Sequence, residues 1–271
     1  MRNRRIKENQ LNAPIFPISR TIDPCSLSIC RIHCPWFYNK QEAYETGFFI
    51  KIKNRDNNNL YQYFLMTCEH VISENKYKYG LEEIDLYYHL ETVKLTIRLD
   101  QRERFIKSYI NDYNVDITII EIKNNEAPYQ YFLEPDYNVI GNYNQYSKKK
   151  IIIHQFPIGR EQCFSEGNIL YVKEKEREMF YDVSTEPCSS GSPVIDKETK
   201  LVIGVHKEGE EDINIGTFLD VVLTDNERGN NNNYIRDNIE IINPRNYTRQ
   251  GVLIRKTKNE RTYKKMIIIL F

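Results

Sequence analysis

Short runs in which apolar and polar residues alternate recur along the chain, and each predicts a strand. Residues 47–53 (Gly-Phe-Phe-Ile-Lys-Ile-Lys) alternate as a half-buried strand does, a polar turn occupies 54–59, and a second strand covers 61–67. A β-rich stretch at 86–99 sets Val93, Leu95 and Ile97 against Lys94, Thr96 and Arg98, and residues 26–33 and 116–122 supply further strands. About six strands of this kind suit one Greek-key barrel. A Tyr- and Asn-rich connection at 124–150 follows, and then the pattern resumes. Strands are expected at 150–155, 167–172, 178–183, 193–195, 201–206 and 216–219, enough for a second barrel.

Helical periodicity is visible at 234–242, where Ile235, Ile239 and Ile242 fall on one side. Residues 252–256 and 263–270 read as a terminal hairpin. Pro14, Pro17 and Pro24 argue against a long helix near the start. The expected organisation is therefore all-β: an arm (1–24), a first six-stranded Greek-key β-barrel (25–135), a second barrel with a C-terminal helix (136–243), and an extra C-terminal hairpin (244–271).

Composition narrows the function classes. Lys plus Arg and Asp plus Glu both number 38, so the formal net charge is zero. A dedicated nucleic-acid binder carries a strong basic excess, and none is present. The basic start, Met1 to Lys7, is not followed by an apolar core, and no apolar run approaches spanning length, so an intracellular protein that binds no membrane is expected. Six cysteines are expected as free thiols. Cys25, Cys30, His33 and Cys34 raise a zinc site, but no second Cys-x-x-Cys or His pair completes it, so no metal is expected. No cofactor motif is seen either.

Candidate chemistry gathers in three stretches. Pro187-Cys188-Ser189-Ser190-Gly191-Ser192-Pro193 puts small residues on a tight bend before an apolar strand, where a hydroxyl can be presented beside inward-pointing N–H groups. Upstream lie Met66-Thr67-Cys68-Glu69-His70-Val71 and Val115-Asp116-Ile117. A serine hydroxyl needs an adjacent base, and imidazole has its pKa near working pH. The order His70, Asp116, Ser190 is one of the known orders of the serine triad.

With these motifs in place, the chain resembles the trypsin-like (chymotrypsin-fold) serine proteases. Tyr181-Asp182-Val183-Ser184-Thr185 and Ile203-Gly204-Val205-His206 are similar to the branch that holds glutamyl endopeptidases and exfoliative toxins. The resemblance runs from about Glu45 to about Ile242. It implies a serine endopeptidase acting on protein or peptide substrates, with His70, Asp116 and Ser190 catalytic and the N–H groups of Cys188 and Ser190 forming the oxyanion hole. It also implies a specificity pocket lined by Ser184, Thr185 and His206, the latter two matching residues that hold an acidic side chain.

Three departures accompany the resemblance. Cys188 stands where the family nearly always has glycine, which restricts the backbone. Ser189 stands where trypsins carry the Asp that pairs with a newly cut N-terminus. Lys207-Glu208 replaces an aromatic residue and glycine, so that Lys207 offers charge to an acidic substrate while Glu208 repels it. A catalytically inactive homologue that binds peptides or acts as a scaffold is the alternative that Cys188 keeps open.

Overall fold

A computed structural model describes residues 15–17, 24–34, 43–54, 60–88, 91, 93–110, 115–123, 126, 131–210 and 212–228. The helix expected at 234–242 and the hairpin expected in 244–271 lie outside them.

In chain order the strands are β1 (Ile15–Pro17), β2 (Ile29–Cys34), β3 (Ala43–Lys53), β4 (Tyr61–Thr67), β5 (Glu83–Tyr88), β6 (Val93–Arg98), β7 (Ile106–Tyr109) and β8 (Ile117–Glu121). They continue with β9 (Lys150–Gln155), β10 (Cys163–Lys173), β11 (Glu178–Tyr181), β12 (Pro193–Asp196), β13 (Val202–Glu210) and β14 (Ile213–Phe218). Two α-helices accompany them, α1 (Glu74–Tyr79) and α2 (Asp220–Arg228).

The first half forms a seven-stranded antiparallel sheet in the order β6-β5-β2-β3-β4-β8-β7. The second half closes: β9-β10-β11-β14-β13-β12 returns to β9, and β1 from the N-terminal arm is added along β10. The architecture is thus all-β, one closed six-stranded barrel beside a curved half-barrel sheet. Alternation explains the faces. In β2, Cys30, Ile32 and Cys34 point into the core, while His33 points the other way and stacks on Tyr44. Apolar side chains such as Phe48, Ile50, Leu65, Ile153, Val194 and Phe218 are fully or almost fully buried, each contributing about 1.5–3 kcal/mol of transfer free energy.

The connection between the halves fastens one to the other. Leu133 pairs with β3 (Lys51 N–H to Leu133 carbonyl, Leu133 N–H to Phe49 carbonyl, both 2.9 Å), and three residues on Asp136 N–H donates to the Val202 carbonyl at 2.8 Å. A segment that reads as a polar loop therefore adds backbone bonds to both sheets.

Several elements differ from the pattern reading. The stretch 86–99 is a hairpin, β5 and β6, and β7 was missed because Ile-Lys-Ser-Tyr is too short to show a period. Residues 24–28 are a 3₁₀ turn before β2. The last strand is followed at once by α2; Asp220-Val-Val-Leu-Thr looks β-branched and strand-like, yet the acidic residue at its start suits a helix N-terminus.

Candidate active site

β4 delivers His70. It ends at Thr67, and a turn at 68–71 (Val71 N–H to Cys68 carbonyl, 3.2 Å) leads into α1, whose N-cap Ser73 accepts from Lys76 N–H at 3.2 Å. The Lys76 ammonium then donates to the carbonyls of His70 and Val71, both at 2.8 Å, which fastens the turn from below.

Asp116 immediately precedes β8. Because Thr118 pairs with Thr67 in the antiparallel register, Asp116 arrives beside the residue before His70. Its Oδ1 accepts the His70 backbone N–H at 2.9 Å and its Oδ2 lies 2.5 Å from His70 Nδ1. Burial alone disfavours the imidazolium, but the Asp116 charge and hydrogen bond, helped by Glu45, outweigh it and hold the His70 pKa above its usual value. Burial likewise works to raise Asp116, while His70 and then Lys207 hold it below the ordinary carboxylate range. Nε2 of His70 is buried and makes no hydrogen bond among the described residues, although the side chain as a whole is 25% exposed.

The turn carrying Ser190 packs against β3 and the end of β4 that leads to this base. Gly191 has φ +89°, and a Cβ there would stand 2.2 Å from both the Thr46 carbonyl and Thr67 Oγ1 and 3.2 Å from Cys68 N. Only glycine fits both the dihedral and the space. Gly191 N–H donates to the His206 carbonyl at 2.9 Å and Thr46 N–H to the Ser190 carbonyl at 3.3 Å. Ser190 Oγ donates to the Lys207 carbonyl at 3.2 Å, and Cys68 Sγ to the preceding carbonyl, His206, at 3.1 Å. The β13 register shifts at this point, between His206 and Glu208. Ser190 is thus hung on the same short piece of β13 as Cys68, whose sulfur lies within 4.8 Å of His70 and Asp116 ligand atoms. His70 and Asp116 are joined directly, while Ser190 is tied to the neighbouring piece of β13 with its hydroxyl turned to Lys207.

Cys188 occupies the left-handed region, φ +75°. The backbone there has the conformation a glycine takes readily, so the side chain has not forced the turn into another shape. Ser189 is fully buried and donates to Gln155 Oε1 at 2.5 Å. Gln155 Nε2 in turn donates to Ser165 Oγ at 2.9 Å and the Ser184 carbonyl at 3.1 Å. A neutral amide network therefore stands behind the turn, in place of an ion pair.

Ser184, Thr185 and His206 are all fully buried. His206 Nδ1 lies 2.6 Å from the phenol oxygen of Tyr181, itself fully buried, so the ring orientation is fixed from β11. Lys207 does not carry unshared charge: its ammonium meets Glu178 at 2.9 Å and Glu208 at 3.4 Å.

Pattern reading missed Thr46, Cys68 as a neighbour of the site, Lys76 and Tyr181; Lys76 lies in the short polar helix α1, and the others in strands or a turn whose sequence shows only strand-like or polar character. The suspected zinc residues are split by strand alternation, with Cys30 and Cys34 in the core and His33 opposite. Burial raises the Cys34 pKa to about 12 and that of Cys30 further, so both are neutral thiols. None of the six cysteines is in a disulfide, as expected. Among the described residues no helix is long and apolar enough to cross a membrane.

Comparison with known proteins agrees with the architecture. No curated protein matches the sequence significantly. Among solved structures, a Glu endopeptidase superposes with a TM-score of 0.59 at 16% identity, covering 82% of this chain and 97% of its own. A serine endoprotease from Yersinia pestis gives 0.52 at 11% identity, over 76% of this chain and 64% of that one. A catalytically inactive tobacco etch virus protease bound to substrate gives 0.52 at 13% identity, over 78% and 87%. At these identities the likeness is one of fold. The family model of the trypsin-like peptidase domain matches residues 45–205, more than half of the chain. Fold, site geometry and family match together make this chain a member of the trypsin-like peptidases, the chymotrypsin-fold serine proteases.

Proposed function

We propose that the chain is a serine endopeptidase in which Ser190 is the nucleophile, His70 the general base and acid, and Asp116 the group that holds the imidazole. The observation that carries this reading is the double acceptance of His70 by Asp116, at 2.9 and 2.5 Å, beside a turn that holds Ser190. With Nδ1–H committed to Asp116, the tautomer leaves Nε2 as the base. Rotation about the Ser190 Cα–Cβ bond takes the hydroxyl off the Lys207 carbonyl. Its proton passes to His70 Nε2 as Oγ bonds to the scissile carbonyl carbon, and the carbonyl oxygen becomes an oxyanion received by the N–H groups of Cys188 and Ser190. His70 returns the proton to the amine as the C–N bond breaks, and water then resolves the acyl-enzyme by the same route in reverse.

Preference for Glu or Asp on the acyl side belongs to the same proposal. A buried carboxylate needs donors; Thr185 supplies a hydroxyl, and His206, oriented by Tyr181, an imidazole N–H. Lys207, shared by Glu178 and Glu208, adds little net charge. The substrate is a protein or peptide, and no metal or cofactor is required. The test is a peptide-library digest with the wild-type chain and Ser190→Ala: cleavage after Glu or Asp, absent in the variant, supports the proposal, whereas cleavage after Phe or Leu unaffected by His206→Ala removes the acidic preference.

A second reading, a peptide-binding homologue without turnover, is favoured by one observation: Ser190 Oγ is bonded to the Lys207 carbonyl and, among the described residues, His70 Nε2 makes no hydrogen bond. Tight binding of library peptides with no cleavage by the wild-type chain is its signature.

A further inference from the structure

Two residues with unfavourable backbone conformations flank a single hydrogen bond. Ile158, φ +54°, donates its N–H to the Pro187 carbonyl at 2.6 Å, and the next residue, Cys188, has φ +75°. A β-branched residue in this region is a rare outlier, and such outliers persist where the surroundings hold them. Because a trans peptide is planar, with C=O and N–H opposed, pinning the Pro187 carbonyl towards Ile158 turns the Cys188 N–H the opposite way.

The peptide on the other side of Cys188 is held as well, from the first sheet. Thr46 Oγ1 accepts the Phe156 N–H at 3.1 Å and donates to the Cys188 carbonyl at 2.8 Å. With a donor already pointing at the oxygen, the single hydroxyl hydrogen is directed at that carbonyl. Phe156 and Ile158 belong to the same turn, so one short segment orients the Thr46 hydroxyl and holds Pro187. Thr46 is completely buried, and its backbone N–H adds the bond to the Ser190 carbonyl.

We infer that Thr46 is a positioning residue whose hydroxyl locks Cys188 in the left-handed conformation and so presets the two N–H groups that receive the oxyanion. A cysteine has no intrinsic preference for that conformation, unlike glycine, so an external clamp does what the family's usual glycine does by itself. This inference rests on the peptidase reading above. It explains how Cys188 is compatible with an organised turn.

The experiment compares Thr46→Val, which removes the hydroxyl at nearly constant shape, with Thr46→Ser, which keeps it. Both are made in the natural chain and in the Cys188→Gly background, and kcat and KM are measured per titrated active site on a cleaved peptide. Thr46→Val is expected to lower kcat by about 10–100-fold with KM nearly unchanged, and Thr46→Ser to retain kcat within about 3-fold. In the Cys188→Gly background the Thr46→Val loss is expected to shrink several-fold, because glycine enters the left-handed region unaided. Unchanged kcat in Thr46→Val, equal losses in Val and Ser, or an undiminished loss in the Cys188→Gly background would each overturn the inference. Thr46→Ala takes the place of Thr46→Val if the latter does not fold. Failure of the unmodified chain to react at Ser190 defeats the peptidase reading itself; normal reaction with an indifferent Thr46 defeats only this step.

Discussion

Asp116 accepts His70 twice, through Oδ1 from the backbone N–H and through Oδ2 at Nδ1, so one carboxylate sets both where the residue sits and which way its ring faces. The strand register brings it there: β8 pairs with β4, and Thr118 lies opposite Thr67. Replacing Asp116 with Asn keeps the shape and removes the charge. Steady-state kinetics should then show kcat lower by about 10³–10⁴-fold.

The same pair fixes a pH dependence. Neutral His70 is the reactive form, and its pKa is held above the usual value against burial by Asp116 and Glu45, with Lys76 opposing. The acidic limb of kcat/KM should therefore lie above the ordinary histidine value and move down in Asp116→Asn. Stability follows the opposite limbs. The depressed Asp116 stabilises the fold above the ordinary carboxylate range, and this is lost as pH falls through its lowered pKa. The raised His70 stabilises below its ordinary value, and this is lost as pH rises through its raised pKa. Melting temperature against pH should show both slopes, and Asp116→Asn should flatten them.

Gly191 tolerates no side chain. Its φ of +89° and the 2.2 Å approach to Thr46 and Thr67 mean that Gly191→Ala must displace the turn from β3 and β4. Denaturant unfolding should show a loss of about 2 kcal/mol or more, with activity falling further than stability explains.

Cys188 makes a contrary case. It pays the left-handed strain that glycine avoids, so Cys188→Gly should raise stability by about 0.5–1 kcal/mol in the same unfolding measurement, with kcat equal or higher. A sharp loss of activity would show that the thiol itself has a function.

These cases mark how far the sequence is legible. Alternating strands and the order His70, Asp116, Ser190 could be read directly, because period-two burial and a base beside a nucleophile leave marks in residue type. Cys188 was legible only as a departure; whether it bends the turn depends on φ, which residue identity does not determine. Thr46 left no mark at all, since a threonine in a strand is what β-propensity favours. Its hydroxyl acquires meaning only when Phe156 and Cys188, distant in sequence, meet it. α2 was missed because Val221, Val222 and Thr224 look like strand residues, and the tertiary environment overrode that preference.

Specificity gives a further expectation. Tyr181 orients His206 through a 2.6 Å contact between buried groups. Tyr181→Phe should raise KM for substrates with Glu at the cleaved position by about 10-fold, with less effect on a neutral analogue such as Gln. Paired kinetics on the two peptides decide the point, and equal effects would assign Tyr181 to packing alone.

The central claim is that Ser190 is an activated nucleophile, and covalent labelling tests it most directly. A fluorophosphonate reacts rapidly only with a serine whose proton an adjacent base removes. Incubation of the native chain followed by peptide mass spectrometry should find about one label per chain on Ser190, none in Ser190→Ala, and labelling slowed at least 100-fold in His70→Ala. A native, folded chain left unlabelled at Ser190, or labelled equally fast without His70, would contradict the account.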